Sequence, residues 1–189
     1  MEIIAFGLRQ KNEKFKPLMD EYTLESVYNK HYKNVYNYIA FRINNHHDTE
    51  ELASQTFEKV IKSWGRYNPA NPLEAWIITI AKNVVTDYFR KNARRQFISF
   101  DSLVQAISPN REPEEIVVAS EENRALMMAM TRLKDKERQI LSMKFATELK
   151  HSEIANILGI GENNVRVIVH RALKKLRNLL EEAEGDESK

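Results

Sequence analysis

The sequence predicts an all-α protein of two small helical domains joined by a flexible linker, the C-terminal one containing a helix-turn-helix. Apolar residues recur at helical spacing through most of the chain. Strand-like alternation and Asn-Gly hairpin turns do not occur, and the 189 residues include only five glycines and five prolines. The helical pattern breaks between about residues 97 and 120, where turn-forming residues collect. This break divides the chain into two domains, for which its length is sufficient.

Charge is distributed unevenly along the chain. The net charge is only +2, so composition by itself does not indicate a nucleic-acid-binding protein. Acidic residues collect at 48–51, at 112–122 and at 181–187, whereas a basic cluster lies between residues 166 and 177. A second basic cluster comprises Lys82, Arg90, Lys91, Arg94 and Arg95. This separation creates local positive fields that suit a polyanionic partner.

Composition and motifs exclude several classes of function. The chain has no cysteine, which removes disulfides, thiolate metal sites and cysteine nucleophiles and agrees with a cytoplasmic location. Its start lacks the basic segment of a secretory signal, and its longest nearly uncharged apolar run, Ala75 to Ala81, is too short to span a membrane. No phosphate-cradling glycine motif, nucleophile elbow or catalytic triad spacing occurs. We therefore expect no catalytic activity, no cofactor and no membrane insertion.

The first predicted domain, residues 24–96, follows a weakly patterned N-terminal arm at residues 1–23. Its first helix is predicted from Leu24 to Ile43 by the period of its apolar and aromatic residues. For the second helix we predict Asp48 as the N-cap, with Glu51 completing a capping box, and an end near Trp64-Gly65.

The third predicted helix has the best start signal in the sequence. In Asn71-Pro72-Leu73-Glu74 the asparagine suits the N-cap, the proline the first turn and the glutamate the third position. A wide apolar face, which includes Trp76, is expected to lie in the core. The opposite face carries Lys82, Asn83, Thr86, Asp87 and Arg90.

The second predicted domain, residues 121–183, follows the linker at 97–120 and precedes an acidic tail at 184–189. Two helices are predicted first, from Glu121 to Leu133 and from Asp135 to about Phe145. They lead into the helix-turn-helix.

The helix-turn-helix lies between Lys150 and Leu176. A short apolar-periodic segment is followed by the turn Gly159-Ile160-Gly161 and by a longer helix that starts near Glu162. The small residue Ala155 and the glycine turn allow the two helices to cross closely and steeply. A buried stripe is predicted at Val165, Val169, Ala172 and Leu176, which leaves Arg166, Val167, His170, Arg171 and Lys174 facing outward. A DNA major groove admits one such helix.

Other interpretations of these patterns remain open at the sequence level. A basic outward face is also the ordinary solvated face of a structural helical bundle. The helix-turn-helix could serve a regulator that binds an operator without polymerase, although the first domain has no ligand-pocket pattern. The segment His46-His47-Asp48 with Glu50-Glu51 contains metal-ligating residue types, but no second cluster completes a bundle-core site.

The chain resembles the extracytoplasmic-function (group 4) branch of the sigma-70 family of bacterial RNA polymerase sigma factors. Asp48-Thr-Glu-Glu51-Leu52 through Phe57 is similar to the acidic polymerase-binding helix of that family. Trp76-Ile-Ile-Thr-Ile-Ala-Lys-Asn83 with Asp87-Tyr88-Phe89-Arg90 is similar to its promoter-melting helix. Glu153-Ile154-Ala155, Leu158-Gly159-Ile160 and the run from His170 to Leu176 are similar to its domain that binds the minus-35 promoter element.

The resemblance implies partners and site residues. The partners would be core RNA polymerase and promoter DNA, and the family often adds a cognate anti-sigma factor that clamps the two domains. The minus-35 groove would be faced by Arg166, Val167, His170 and Arg171, with Asn163, Asn164 and Lys174 near phosphates. The minus-10 element would meet Lys82, Asn83, Asp87, Arg90 and Arg94, together with Tyr67 and Asn68 in a loop that captures a flipped base. The polymerase clamp helices would be met by Asp48, Glu51, Ser54 and Gln55.

Overall fold

The computed structural model describes residues 23–98 and 121–186 of the chain, and these two ranges fold into seven α-helices with no strand. The predicted all-α class is thereby confirmed. Residues 1–22, 99–120 and 187–189 lie outside the described residues. They contain most of the predicted arm, most of the predicted linker and the end of the acidic tail.

The N-terminal domain consists of three helices and a short 3-10 turn. The helices are α1 (Leu24–Ile43), α2 (His46–Ser63) and α3 (Leu73–Ile98), and the turn at Trp64–Arg66 follows α2. Helix α1 has the predicted bounds, and the hydroxyl oxygen of Thr23 caps it by accepting from the Ser26 amide at 3.1 Å.

The predicted cap of α2 was wrong. Asn45 is the N-cap, and its side-chain oxygen accepts a hydrogen bond from the Asp48 amide at 2.9 Å. The reason lies at Asn44, which adopts the left-handed conformation with φ 54° and ends α1. The chain therefore re-enters a helix three residues earlier than the predicted capping box of Asp48 and Glu51 requires, and Asp48 lies inside the first turn.

The C-terminal domain contains four helices. These are α4 (Glu121–Thr131), α5 (Asp135–Ala146), α6 (His151–Leu158) and α7 (Glu162–Asp186). A carboxylate oxygen of Glu153 accepts from the Lys150 amide at 2.6 Å and so stabilises the start of α6. Helix α6 ends at Gly159, whose φ of 64° favours glycine. The helix-turn-helix therefore forms as predicted.

The core of the C-terminal domain follows the predicted apolar stripe, whereas in α3 Trp76 is only half-buried and Ile78, outside the predicted face, is buried. In α3 the fully buried residues are Ile77, Ile78, Ala81, Val84 and Val85. In α7 all four predicted stripe residues, Val165, Val169, Ala172 and Leu176, are buried, and Leu179 extends the stripe by one turn. Each stripe fixes the rotation of its helix and thereby determines which residues face outward.

The two domains also contact each other. Helix α1 packs against α5 as extensively as it packs against α2 in its own domain, and α3 contacts α6. Arg42 at the end of α1 forms an ion pair of 2.8 Å with Asp135 at the start of α5. We call the α1–α5 contact the domain interface.

Candidate nucleic-acid interface

The outer face of α7 presents every residue that the sequence predicted for a DNA groove. Because the opposite stripe is buried, seven side chains lie on the exposed side: Asn163, Asn164, Arg166, Val167, His170, Arg171 and Lys174. Val167 is 45% exposed, which is unusual for a valine and leaves its methyl groups free for an apolar contact. The arrangement combines hydrogen-bond donors with one apolar group, as readout of base edges requires.

The N-terminal turn of α7 is suited to binding a phosphate group. Asn163 and Asn164 lie exposed in its first turn, where backbone N–H groups point outward and the helix dipole favours an anion. Arg166 donates to the Glu162 carboxylate at 2.6 Å, one turn earlier on the same side of the helix. Sequence reasoning did not identify Glu162. The available signal was that Glu162 precedes Arg166 by four residues, the spacing of an ion pair along one side of a helix.

The loop between α2 and α3 is held in a defined shape by its own hydrogen bonds. The Tyr67 hydroxyl donates to the Asn71 carbonyl at 2.8 Å, and the side-chain oxygen of Asn68 accepts from the Ala70 amide at 3.0 Å. The Tyr67 ring lies 5.1 Å from Trp76 and 5.9 Å from Trp64 between centroids. Tyr67 is thus half-buried against two tryptophans, whereas Asn68 is exposed.

The polar face of α3 contains one free amide and several engaged charges. Asn83 is exposed, whereas Lys82 is half-buried and donates to the carbonyl of Ile157 in α6 at 3.2 Å. The Asp87 carboxylate lies 2.6 Å from Arg90 and 3.7 Å from Lys59 in α2. Asp87 therefore holds Arg90 in position. The side chain of Arg94 lies outside the described residues, although its backbone continues α3.

Three of the four predicted polymerase-binding residues share the outer side of α2. Glu51 is exposed and accepts from the Gln55 amide at 2.9 Å, and Ser54 is half-buried beside them. Ser54 also lines a shallow apolar groove with Leu24, Tyr28 and Phe57. Asp48, three residues before Glu51, is half-buried, and its carboxylate accepts a hydrogen bond from the Tyr88 hydroxyl of α3 at 2.6 Å.

Sequence reasoning missed the polar residues of the domain interface. His31, Tyr38 and Arg42 are buried on one face of α1, and burial raises the pKa of Tyr38 to about 12. Their spacing of seven and four residues places them on one side of a helix, which was the signal available. An arginine in a last turn is ordinarily explained by the helix dipole, so the pattern by itself did not indicate burial.

Other site types are not found among the described residues. None of the helices there combines the length and apolar character needed to cross a membrane. Within the same ranges no three His, Asp or Glu side chains lie where they could hold a metal ion. His46 and Glu50 make a single pair at 3.8 Å.

Both domains match known sequence families. Residues 27–95 match Sigma-70 region 2, and residues 129–178 match Sigma-70, region 4. Among curated proteins, the chain is 29% identical over 181 residues to the ECF RNA polymerase sigma factor BldN of Streptomyces coelicolor, covering 95% of this chain and 65% of BldN. It is 26% identical over 168 residues to the RNA polymerase sigma factor YlaC of Bacillus subtilis, covering 87% of this chain and 96% of YlaC.

A solved structure shares the fold. The sigma factor RpoE of Bartonella quintana, determined in complex with the anti-sigma factor NepR, superposes with a TM-score of 0.69 at 20% sequence identity. The superposition covers 83% of this chain and 96% of RpoE. The likeness extends over both domains of the chain.

Proposed function

This chain belongs to the extracytoplasmic-function branch of the sigma-70 family, and we propose that each of its two domains recognises one promoter element. A sigma factor directs core RNA polymerase to promoters and starts DNA melting. The observation that carries the proposal is the presence of two separate polar surfaces, one on α3 with its preceding loop and one on α7, each within a matched region. We assign the minus-10 element to the first and the minus-35 element to the second.

Helix α7 reads the minus-35 element from the major groove in this proposal. Arg166 and Arg171 are exposed, and each can donate two hydrogen bonds to guanine, which contributes about 1–3 kcal/mol of discrimination in good geometry. Val167 touches a thymine methyl group. Asn163, Asn164 and Lys174 contact phosphates and fix the register of the helix on the duplex.

The loop and polar face of the N-terminal domain open the minus-10 element. An unstacked base needs an aromatic surface and polar groups for its edge, and Tyr67 and Asn68 offer both in a loop that is already ordered by hydrogen bonds. Asn83 reaches the non-template strand, with Lys82 and Arg90 beside it. Preordering of the loop lowers the entropy cost of capturing the base.

Polymerase binds the outer side of α2, where Glu51, Ser54 and Gln55 form one polar strip. Asp48 precedes this strip by one turn, and its bond with the Tyr88 hydroxyl fixes its carboxylate beside the proposed contact. The complex of RpoE with NepR supports a further partner of the anti-sigma type for this chain. The site of action is the cytoplasm, where polymerase works.

Reconstituted transcription tests the proposal. Core polymerase supplied with this chain should begin transcription of genomic templates at discrete positions, and core polymerase alone should not. The chain by itself should bind promoter duplexes weakly. Tight, sequence-specific binding without polymerase would instead indicate the operator-binding regulator, which the sigma-factor relatives do not favour.

A further inference from the structure

Glu162 places a negative charge on a helix that we assign to DNA. It is the first residue of α7, and its carboxylate accepts from the Arg166 guanidinium at 2.6 Å. The side chain of Glu162 is 41% exposed and that of Arg166 is 60% exposed. An exposed ion pair of this kind contributes little to stability. We therefore look for its effect in the placement of the Arg166 side chain, which the bond ties to the start of the helix.

The position of this carboxylate conflicts with the proposed phosphate contacts. Asn163 and Asn164, which follow Glu162 directly, are exposed in the turn that we assign to a DNA phosphate. A carboxylate in the first turn stabilises a helix through its dipole, but it also repels a phosphate at the same place. The Arg166 guanidinium offsets this repulsion only while it stays beside Glu162.

The bond with Glu162 leaves Arg166 able to read a base. A guanidinium has five N–H donors in one plane, and this bond engages only one nitrogen, Nη2. Two further donors suffice for the paired acceptors of guanine. Because one end of the plane is already held, less side-chain entropy is lost when the base is bound. Glu162 therefore preorganises Arg166 for guanine.

The same bond opposes contacts that carry no sequence information. A freely moving arginine can reach the phosphate backbone of any duplex. To do so, Arg166 would have to leave Glu162, whose charge would then lie unpaired beside the DNA. At guanine the guanidinium can bond to the base and the carboxylate together. A wrong base pair offers no such arrangement, so Glu162 penalises it.

We propose that Glu162 is a positioning residue that makes Arg166 selective, lowering the affinity of α7 for DNA in general while raising its discrimination at one base pair of the minus-35 element. This inference rests on the proposed function. The two effects have opposite signs, whereas a carboxylate that only stabilised the helix would strengthen every contact of α7 together.

Arg171 provides a comparison within the same helix. It is exposed, and no carboxylate of the described residues pairs with it. Arg171 follows Arg166 by five residues, which is about 7.5 Å along the helix, or the rise of about two base pairs. The two arginines should therefore meet different base pairs. Only the base pair that Arg166 reads should depend on Glu162.

Initiation from a set of promoters tests the inference. The native chain and its variants are each combined with core polymerase, and every base pair of the minus-35 element is changed in turn. The position at which Arg166→Ala loses selectivity is the base pair that Arg166 reads. At that position Glu162→Ala should reduce selectivity by about fivefold or more, a substantial part of one arginine–guanine contact. Its affinity for duplex without a promoter should rise severalfold, because a negative charge is removed.

A conservative variant separates the two effects of the carboxylate. Glu162→Gln retains a carbonyl oxygen that can accept from Arg166 but carries no charge. It should keep more of the selectivity than Glu162→Ala does, and its affinity for duplex without a promoter should rise to a similar extent. Glu181→Ala, which removes an exposed carboxylate further along α7, should change neither quantity.

A double substitution shows whether Glu162 acts through Arg166. If it does, adding Glu162→Ala to Arg166→Ala should cause no further loss of selectivity. Equal loss with and without Arg166 would overturn the inference and indicate that the carboxylate contacts a base itself, as an acceptor from cytosine.

The remaining outcomes are also decisive. Unchanged selectivity in Glu162→Ala would overturn the inference and leave the proposed function intact. Loss of selectivity at the base pairs of both Arg166 and Arg171, with a lower midpoint of thermal unfolding, would indicate damage to α7 and would overturn it as well. A native chain that initiates equally from every minus-35 variant would instead refute the proposed function of α7.

Discussion

Arg171 lies in the middle of the exposed face of α7, on the side opposite the buried stripe. We expect Arg171→Ala to reduce initiation at a minus-35-dependent promoter by about 5- to 150-fold, which corresponds to the loss of 1–3 kcal/mol from one arginine–guanine contact. The midpoint of thermal unfolding should not change, because no core side chain is removed. Arg177→Ala, an exposed arginine further along the same helix, is the matched control. Full initiation by Arg171→Ala would remove Arg171 from the site.

His31 gives the stability of the protein a dependence on pH. Burial lowers the pKa of His31, and the neighbouring Lys30 lowers it further, while Glu148 opposes both. The unfolded chain therefore binds more protons than the folded chain below the ordinary histidine pKa of about 6.5. The contribution of neutral His31 to the free energy of unfolding is complete above the ordinary histidine pKa. It is lost as the pH falls through the lowered pKa of the folded state.

This dependence can be measured by urea unfolding at several pH values between about 5 and 7. The midpoint should decline toward acid in the native chain, and the decline should be shallower in His31→Gln. An unchanged slope in that variant would show that other groups carry the effect. His170→Gln, which replaces an exposed histidine of α7, is the matched control.

Among the elements, the junction of α1 and α2 has the sharpest requirement on its residues. Asn45→Ala removes the side-chain acceptor of the Asp48 amide and should lower the free energy of unfolding by about 1 kcal/mol. Asn44→Gly changes the neighbouring asparagine to the residue that its φ of 54° favours, so it should be neutral or stabilising. Urea unfolding of the two variants distinguishes them. An unchanged free energy of unfolding in Asn45→Ala would show that the cap contributes little.

Helix α3 should act in DNA opening more than in initial binding. Asn83 is exposed on its polar face, and in the proposed role its amide bonds to a base edge that the intact duplex hides. We expect Asn83→Ala to leave the closed complex with polymerase nearly intact and to reduce unpaired thymines in the minus-10 region. Permanganate reactivity measures the opening, and a gel-shift assay measures the complex. Equal loss of both would contradict the melting role.

Helix bounds were predictable from sequence where the apolar period was regular, whereas the strongest cap signal, Asn71-Pro72, precedes a helix that begins only at Leu73. Leu24 to Ile43 is one example, and the start of α7 near Glu162 is another. The start of α2 was not predictable in the same way, since two asparagines precede Asp48 and only the backbone angle of Asn44 decides which one caps. The exposed site residues of α7 followed directly from the buried stripe. The half-burial of Lys82 did not, because its cause is a contact with the other domain.

At the scale of the whole molecule, the period of the apolar residues in α1 indicated that one face of the helix is buried. It did not indicate which helix covers that face. The same spacing suits α5 of the other domain and a helix of its own domain equally well. The spacing of Tyr38 and Arg42 therefore indicated a shared face of α1 but not the helix that covers it. Only the tertiary structure connects them to α5.

The domain interface predicts that the two halves stay together after the chain is cut. With a specific protease site inserted into residues 99–120, cleavage should leave both fragments in one peak on gel filtration. Asp135→Arg should separate the fragments, because it breaks the pair with Arg42. Glu181→Arg, the same charge change at an exposed residue of α7, should leave the fragments together. Fragments of the native sequence that elute separately would show that the interface is too weak to hold the domains by itself.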